Sequence, residues 1–247
     1  MNNDILIALD DGHGMETAGK RTPYIPNLGR FIHENEFNKE VVKYLDIELK
    51  RCGFNTLLVA STDDDTSLAN RVKLANDLKA NAYISIHYNA IDGKFDGEDK
   101  DASGIEVFHY PNSISGKRLA ECVYNELIKG TPQKQRGVKS ANFYVLRNTN
   151  MVAMLSENGF MDNEREANFM LDVNFQKEVA REHCRGICTY FNKSYIEETS
   201  NPTIKPEIPE EEKLYRVQVG AYRIKENAEM QLKKLNEAGF NGFIIEV

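Results

Sequence analysis

Residues 5–14 read Ile5-Leu6-Ile7-Ala8-Leu9-Asp10-Asp11-Gly12-His13-Gly14. Five apolar residues run directly into two carboxylates and a histidine flanked by glycines. A short apolar run bounded by a turn signal fits a strand buried on both faces, and it leaves the polar residues at the strand's carboxyl end. The arrangement recurs twice. Ala82-Tyr83-Ile84-Ser85-Ile86 delivers His87-Tyr88-Asn89-Ala90, and Val152–Ser156 delivers Glu157-Asn158-Gly159-Phe160. Phe54–Ala60 and Ile105–His109 are two further β-type runs.

Helical stretches alternate with these strands. Phe37, Val41, Val42, Leu45 and Leu49 recur at a period of 3.6 and stop at Cys52-Gly53, where glycine supplies the C-terminal end. Ser67–Lys79, Ser115–Lys129 and Val173–Phe191 read the same way. Strands separated by helices imply crossover units, so the expected fold is α/β: a mainly parallel twisted sheet with helices on both faces.

In an open parallel sheet, ligands bind outside the carboxyl ends of the strands. His13, His87 and Glu157 stand at three such ends. Glu34 is expected just ahead of the first helix, in His33-Glu34-Asn35-Glu36-Phe37-Asn38. Two histidines and a glutamate form a catalytic zinc set that leaves a fourth position for water, and a second carboxylate can take that water's proton. The spacing equally admits polar residues satisfied at strand ends and a plain turn at Gly12 and Gly14. By itself it names no substrate.

Four motifs taken in order carry more information: Asp10-Asp11-Gly12-His13-Gly14, Glu34-Asn35-Glu36-Phe37-Asn38, Ser85-Ile86-His87-Tyr88-Asn89-Ala90 and Glu157-Asn158-Gly159-Phe160. Over residues 4–192 the chain resembles the zinc-dependent N-acetylmuramoyl-L-alanine amidases of the third amidase family. The resemblance implies a peptidoglycan hydrolase that cuts the amide between N-acetylmuramic acid and the first L-alanine of the stem peptide. It implies one Zn2+ per catalytic domain, with His13, Glu34 and His87 as metal ligands and Glu157 as the catalytic glutamate. Glu36 is the rival to Glu34; the family's Glu followed four positions later by Asn, here Asn38, favours Glu34. Asn89, Asn158 and Arg136 are candidate substrate contacts. Asp11 and Met15 depart from the family's usual Pro or Ala and Gly. The Ile91–Ser103 connection has no room for the plugging helix of some relatives, so an open site is expected. A zinc peptidase of the stem peptide and a non-catalytic wall-binding protein are the alternatives.

Composition narrows the partners. The 247 residues are 41% hydrophobic and 28% charged, with a net charge of −7, which argues against binding a nucleic-acid backbone. No apolar run approaches the roughly 20 residues of a membrane span. The start, Met1-Asn2-Asn3-Asp4, lacks a signal peptide's basic segment. The expectation is therefore synthesis in the cytoplasm and action on the bacterial wall after release, as for a phage endolysin or a sporulation autolysin. Cys52, Cys122, Cys184 and Cys188 read as reduced core residues, with a metal pair at the one-turn spacing of the last two as the alternative.

The organisation expected is a catalytic domain over residues 1–192, a Pro/Glu-rich linker over 193–213 and a small β-α-β unit over 214–247, with strands Tyr215–Ala221 and Phe240–Val247 flanking a helix at Lys225–Ala238. Tyr215–Tyr222, Asn227-Ala228-Glu229 and Ala238-Gly239-Phe240 resemble the first half of a SPOR domain. That resemblance implies binding to denuded glycan strands. Half of such a sheet exposes pairing edges, which leads to the expectation that two chains combine their tails in a homodimer.

Overall fold

The computed structural model describes residues 4–60, 63, 65–97, 99–198 and 225–237, and the chain divides into two units after Glu198. In the first unit the elements run β1 (Leu6–Asp10), α1 (Glu34–Arg51), β2 (Asn55–Leu58), α2 (Leu68–Asp77), β3 (Ala82–Asn89), β4 (Ile105–His109), α3 (Ile114–Gly130), β5 (Gln135–Ser140), α4 (Tyr144–Asn148), β6 (Val152–Phe160), α5 (Glu164–Phe169) and α6 (Val173–Tyr190). They build one six-stranded sheet in the order β2-β1-β3-β6-β4-β5. Every neighbouring pair is parallel except β4 against β6.

Each face of the sheet has its own core. Ile7, Leu9, Ile84, Ile86 and Met154 pack with Phe37, Val41 and Leu45 of α1, Leu119 and Val123 of α3, and Val179 and Ile187 of α6. Ala8, Tyr83, Ala153 and Leu155 pack with Val72 and Ala75 of α2 and with Val145 and Leu146 of α4. Burial of each large aliphatic side chain contributes roughly 1.5–3 kcal/mol. The near-continuous apolar runs of the inner strands follow directly from burial on both faces.

Alternation along the strands then positions the polar residues. Side chains two apart share a face, so Asp10 lies with Ala8, Ser85 and His87 with Tyr83, and Glu157 with Leu155. All four project where the apolar layer ends. Ser156 falls on the opposite face, where its Oγ meets His183 Nε2 of α6 at 2.8 Å.

Several local expectations change. Glu34 is the first residue of α1 rather than ahead of it, because its neighbour His33 takes the N-cap position. His183 of α6 is wholly buried, with Nδ1 at 2.7 Å from the Val179 carbonyl. The polar run Gln135–Ser140 forms an edge strand with no apolar alternation to reveal it, and α4 and α5 are too short to show a period. Ser194–Glu197, placed in the linker on composition, belongs to the first unit: Arg51 Nε donates to the Ile196 carbonyl at 2.9 Å and the Tyr195 hydroxyl to Glu48 at 2.6 Å. In the second unit the expected helix stands as α7 (Lys225–Glu237), and the two flanking strands lie outside the described residues. Among the described residues no helix is long and apolar enough to cross a membrane.

Candidate metal centre

His13, Glu34 and His87 converge. Each offers one ligand atom, and the three atoms lie within 4.8 Å of one another. Glu34 is wholly buried in the first turn of α1, where the helix dipole favours a carboxylate. Its Oε1 is 2.9 Å from His87 Nδ1, and its Oε2 is 3.4 Å from His13 Nε2. The two imidazoles meet edge to face at 5.0 Å. Gly12 makes this approach possible. Its φ is +68°, and a Cβ there would sit 2.5 Å from Asn38 Nδ2 and 2.9 Å from His87 Cε1. Any side chain at position 12 would push the β1 end away from His87.

Glu36 is spent elsewhere. Its carboxylate accepts from the His33 backbone N–H at 2.8 Å and from both terminal nitrogens of Arg30 at 2.7 and 2.9 Å. It caps α1, which removes it from contention as a ligand. Asn38 supports Glu34 instead, donating to Oε1 at 3.3 Å beside the Tyr88 N–H at 3.1 Å.

A buried chain of polar groups orients His87. Arg71 Nη1 reaches Asp10 Oδ1 at 2.6 Å and Asp11 Oδ1 at 3.0 Å. Asp10 Oδ2 accepts from the Tyr83 hydroxyl at 2.8 Å and from Ser85 Oγ at 2.7 Å. Ser85 Oγ in turn stands 3.1 Å from His87 Nε2. The proton order follows. Asp10, paired with Arg71, accepts the serine's only proton, so Ser85 Oγ accepts from His87 Nε2–H. In the neutral ring Nδ1 then carries a lone pair, aimed at a carboxylate oxygen 2.9 Å away. Two acceptors at that distance require a proton or a cation between them.

The same conclusion follows from the rest of the cluster. Glu34 Oε2 is buried with no hydrogen-bond partner. Desolvation holds His13 down to about 4, so its ring is neutral and available as a ligand at neutral pH. Burial pushes Glu34 upward, but the hydrogen bond to His87, the positive charge the two imidazoles carry when protonated and the Lys20 ammonium outweigh it and bring the carboxyl to about 2. Burial lowers His87, but the hydrogen bond to Glu34 and the Glu34 charge outweigh it and raise it; a cation in place of that proton would meet two imidazoles and a carboxylate, the donor set of an open, tetrahedral zinc site, and the residues present fit that ion.

Glu157 lies opposite His87 in the β3–β6 register and opposite Glu106 in the β4–β6 register. Its Oε2 is also buried without a partner. Burial, reinforced by the Glu34 charge and opposed by His87, raises its carboxyl to about 8. A divalent cation on the adjacent ligands pulls it back toward the carboxylate.

The candidate substrate contacts separate. Asn158 is wholly buried, and its Nδ2 donates to the His87 carbonyl at 3.0 Å and to Ser156 Oγ at 3.1 Å, so it braces β3 against β6. Asn89 donates to Glu106 at 2.9 Å. Arg136 reaches the same carboxylate at 2.8 Å, with its guanidinium 4.8 Å above the Phe160 ring, and Lys139 is paired there as well. Glu106 thus gathers Asn89, Arg136 and Lys139 beside Glu157. Sequence reading singled out neither Glu106 nor Arg71. Both are charged residues inside otherwise ordinary elements, and only the fold gives them partners. Asp11 now has a reason to be acidic, since it shares Arg71 with Asp10.

Family comparison agrees with this geometry. Residues 7–189 match the model of the N-acetylmuramoyl-L-alanine amidase family, and residues 194–246 match that of the SPOR domain. A sporulation-specific N-acetylmuramoyl-L-alanine amidase of Bacillus subtilis (strain 168) is 29% identical over 98% of this chain and 84% of its own length. The N-acetylmuramoyl-L-alanine amidase CwlM of Bacillus licheniformis is 32% identical over 98% of this chain and 85% of its own length. Among solved structures, the N-acetylmuramoyl-L-alanine amidase AmiC2 of Nostoc punctiforme superposes with a TM-score of 0.66 at 30% identity, covering 76% of this chain and 98% of that one.

Proposed function

Because the chain belongs to the N-acetylmuramoyl-L-alanine amidase family, as a peptidoglycan amidase with a C-terminal SPOR segment, we propose that it hydrolyses the amide between N-acetylmuramic acid and L-alanine at a zinc site formed by His13, Glu34 and His87. The observation that carries this reading is the convergence of those three ligand atoms beside Glu157, whose buried Oε2 has no hydrogen-bond partner. Zinc, when held there, polarises the amide carbonyl and lowers the pKa of water toward neutrality.

The chain's own residues supply the rest. Glu157 takes the proton of the attacking water and returns it to the departing amine of L-alanine, serving in turn as base and acid. The Arg71–Asp10–Ser85 chain fixes the His87 ring so that Nδ1 faces the site. Glu106, neutralised by Arg136 and Lys139, keeps a second bare carboxylate from crowding Glu157.

The site is open without a partner protein. Among the described residues, the connection after β3 contains no helix. Its first turn is tied down by Asp162 Oδ2, which accepts from the backbone N–H of Ile91, Asp92 and Gly93 at 2.6, 2.9 and 3.1 Å. The SPOR segment tethers the enzyme to glycan strands.

Digestion of purified peptidoglycan tests this reading by comparing new L-alanine amino termini with new reducing sugars and other amino termini. New L-alanine termini that disappear with chelator and with Glu157→Ala are expected. Termini at another residue of the stem peptide would overturn the bond assignment.

A further inference from the structure

Three of the four cysteines meet at the far end of α1. Cys52 follows the last helical residue of α1, and Cys184 and Cys188 lie one turn apart on α6. All three are at most 5% exposed, their Sγ atoms lie within 4.8 Å of one another, and Cys52 and Cys184 are 3.7 Å apart. Sulfurs sharing one metal ion at about 2.3 Å each are themselves separated by about 4 Å. The 18-residue α1 spans roughly 27 Å at 1.5 Å per residue, so this cluster is distinct from the His13–Glu34–His87 site at the other end.

From this geometry we infer a second metal site, a three-thiolate site for a soft, thiophilic ion. Its chemistry differs from that of the first site. Thiolates select soft ions, whereas imidazole and carboxylate suit zinc and harder ions. No histidine or carboxylate joins the three sulfurs among the described residues, so the protein supplies a three-coordinate set.

The surroundings suit a bound cation with thiolate ligands. The Ile196 N–H donates to Cys52 Sγ at 3.3 Å, and the Lys193 N–H donates to the Cys188 carbonyl at 2.9 Å. Lys193 Nζ also reaches the Gly53 carbonyl at 2.5 Å. The residues that leave α6 therefore close over the sulfurs, and an ion there would join α1, α6 and the start of the segment matched by the SPOR model.

The test uses the full chain, reduced with a phosphine, stripped of metal and titrated with Cd2+ alone. Uptake of two equivalents is expected, one of them with thiolate-to-cadmium charge-transfer absorption in the ultraviolet. Cys52→Ala and Cys188→Ala should each abolish that absorption and lower uptake to one equivalent. His13→Ala should also lower uptake to one but keep the absorption, which separates this site from the catalytic one; Cys122→Ala should change neither. Wild-type protein without the absorption overturns the inference, as does absorption that survives both Cys52→Ala and Cys188→Ala. A chain that carries a disulfide as purified and takes up no Cd2+ at the thiols after reduction overturns it too.

Discussion

The two ends of α1 hold clusters of opposite chemistry. At the N-terminal end, Glu34 meets two histidines, the donors are nitrogen and oxygen, and two buried carboxylate oxygens stand without partners. At the C-terminal end the donors are all sulfur, and the thiols already engage one another. The first cluster is held by a chain of ionic hydrogen bonds reaching back to Arg71. The second is held by packing between two helices. Polar orientation can place a ligand atom in advance, whereas thiols placed by packing gain their full role only when an ion is present.

The largest expected effect is at the first end. On the proposed zinc site, Glu34→Ala or His87→Ala should abolish both chelator-sensitive turnover and one equivalent of metal, read by metal analysis beside the peptidoglycan assay. Glu157→Gln should lower kcat by about 10²–10⁴ while metal content stays at the wild-type level. If metal were lost together with activity, Glu157 would be a ligand and the division of labour would fail.

Support for His87 comes next. Ser85→Ala should weaken metal affinity by about 10–100-fold, as loss of a hydrogen bond behind a ligand generally does, and competition with a chelator measures it. Arg71→Met leaves Asp10 and Asp11 buried without their cation and should cost about 3–5 kcal/mol of stability, read by denaturant unfolding. Equal metal affinity in Ser85→Ala and wild type would mean that the polar chain serves only the fold.

The smallest effect lies beside the cysteines on α6. Burial raises Glu182 to about 8, and both of its oxygens lack a hydrogen-bond partner; burial lowers His183 to about 4. The folded state therefore holds the Glu182 proton more tightly than the unfolded chain, so this contribution falls as pH rises from about 4.5 to about 8. His183 acts at the acid side: the unfolded chain binds its proton more readily, and stability falls as pH drops from about 6.5 to about 4. Melting temperature followed against pH should show both limbs. Glu182→Gln should make the alkaline limb, which Glu157 and Glu166 share, shallower and leave the acid limb unchanged.

The strand–helix alternation and the candidate His13, Glu34 and His87 cluster were legible because each rests on local information. Apolar runs passing into polar residues mark buried strands, and β1, β3 and β6 bear that out. What escaped notice had no local signature. The edge strand Gln135–Ser140 has its polar side chains half in solvent, so no apolar alternation was needed there. Glu36 and Glu34 both sit in the first turn of α1, and only the cap hydrogen bonds show which one is spent.

Residue type and position along a strand are properties of the sequence, so the chain by itself determined its layered α/β architecture and put His13, His87 and Glu157 at or just beyond strand ends and Glu34 at the start of α1. Tertiary structure decided which distant residues complete them. Arg71 meets Asp10 across 61 positions, His87 meets Glu34 across 53, and Cys184 meets Cys52 across 132. The reversed direction of β4 against β6, which brings Glu106 beside Glu157, belongs to the same class. Hydrophobic periodicity specifies which face of each element is buried. The pairing of one buried face with another, and hence the company of each polar side chain, is settled only when the whole core packs.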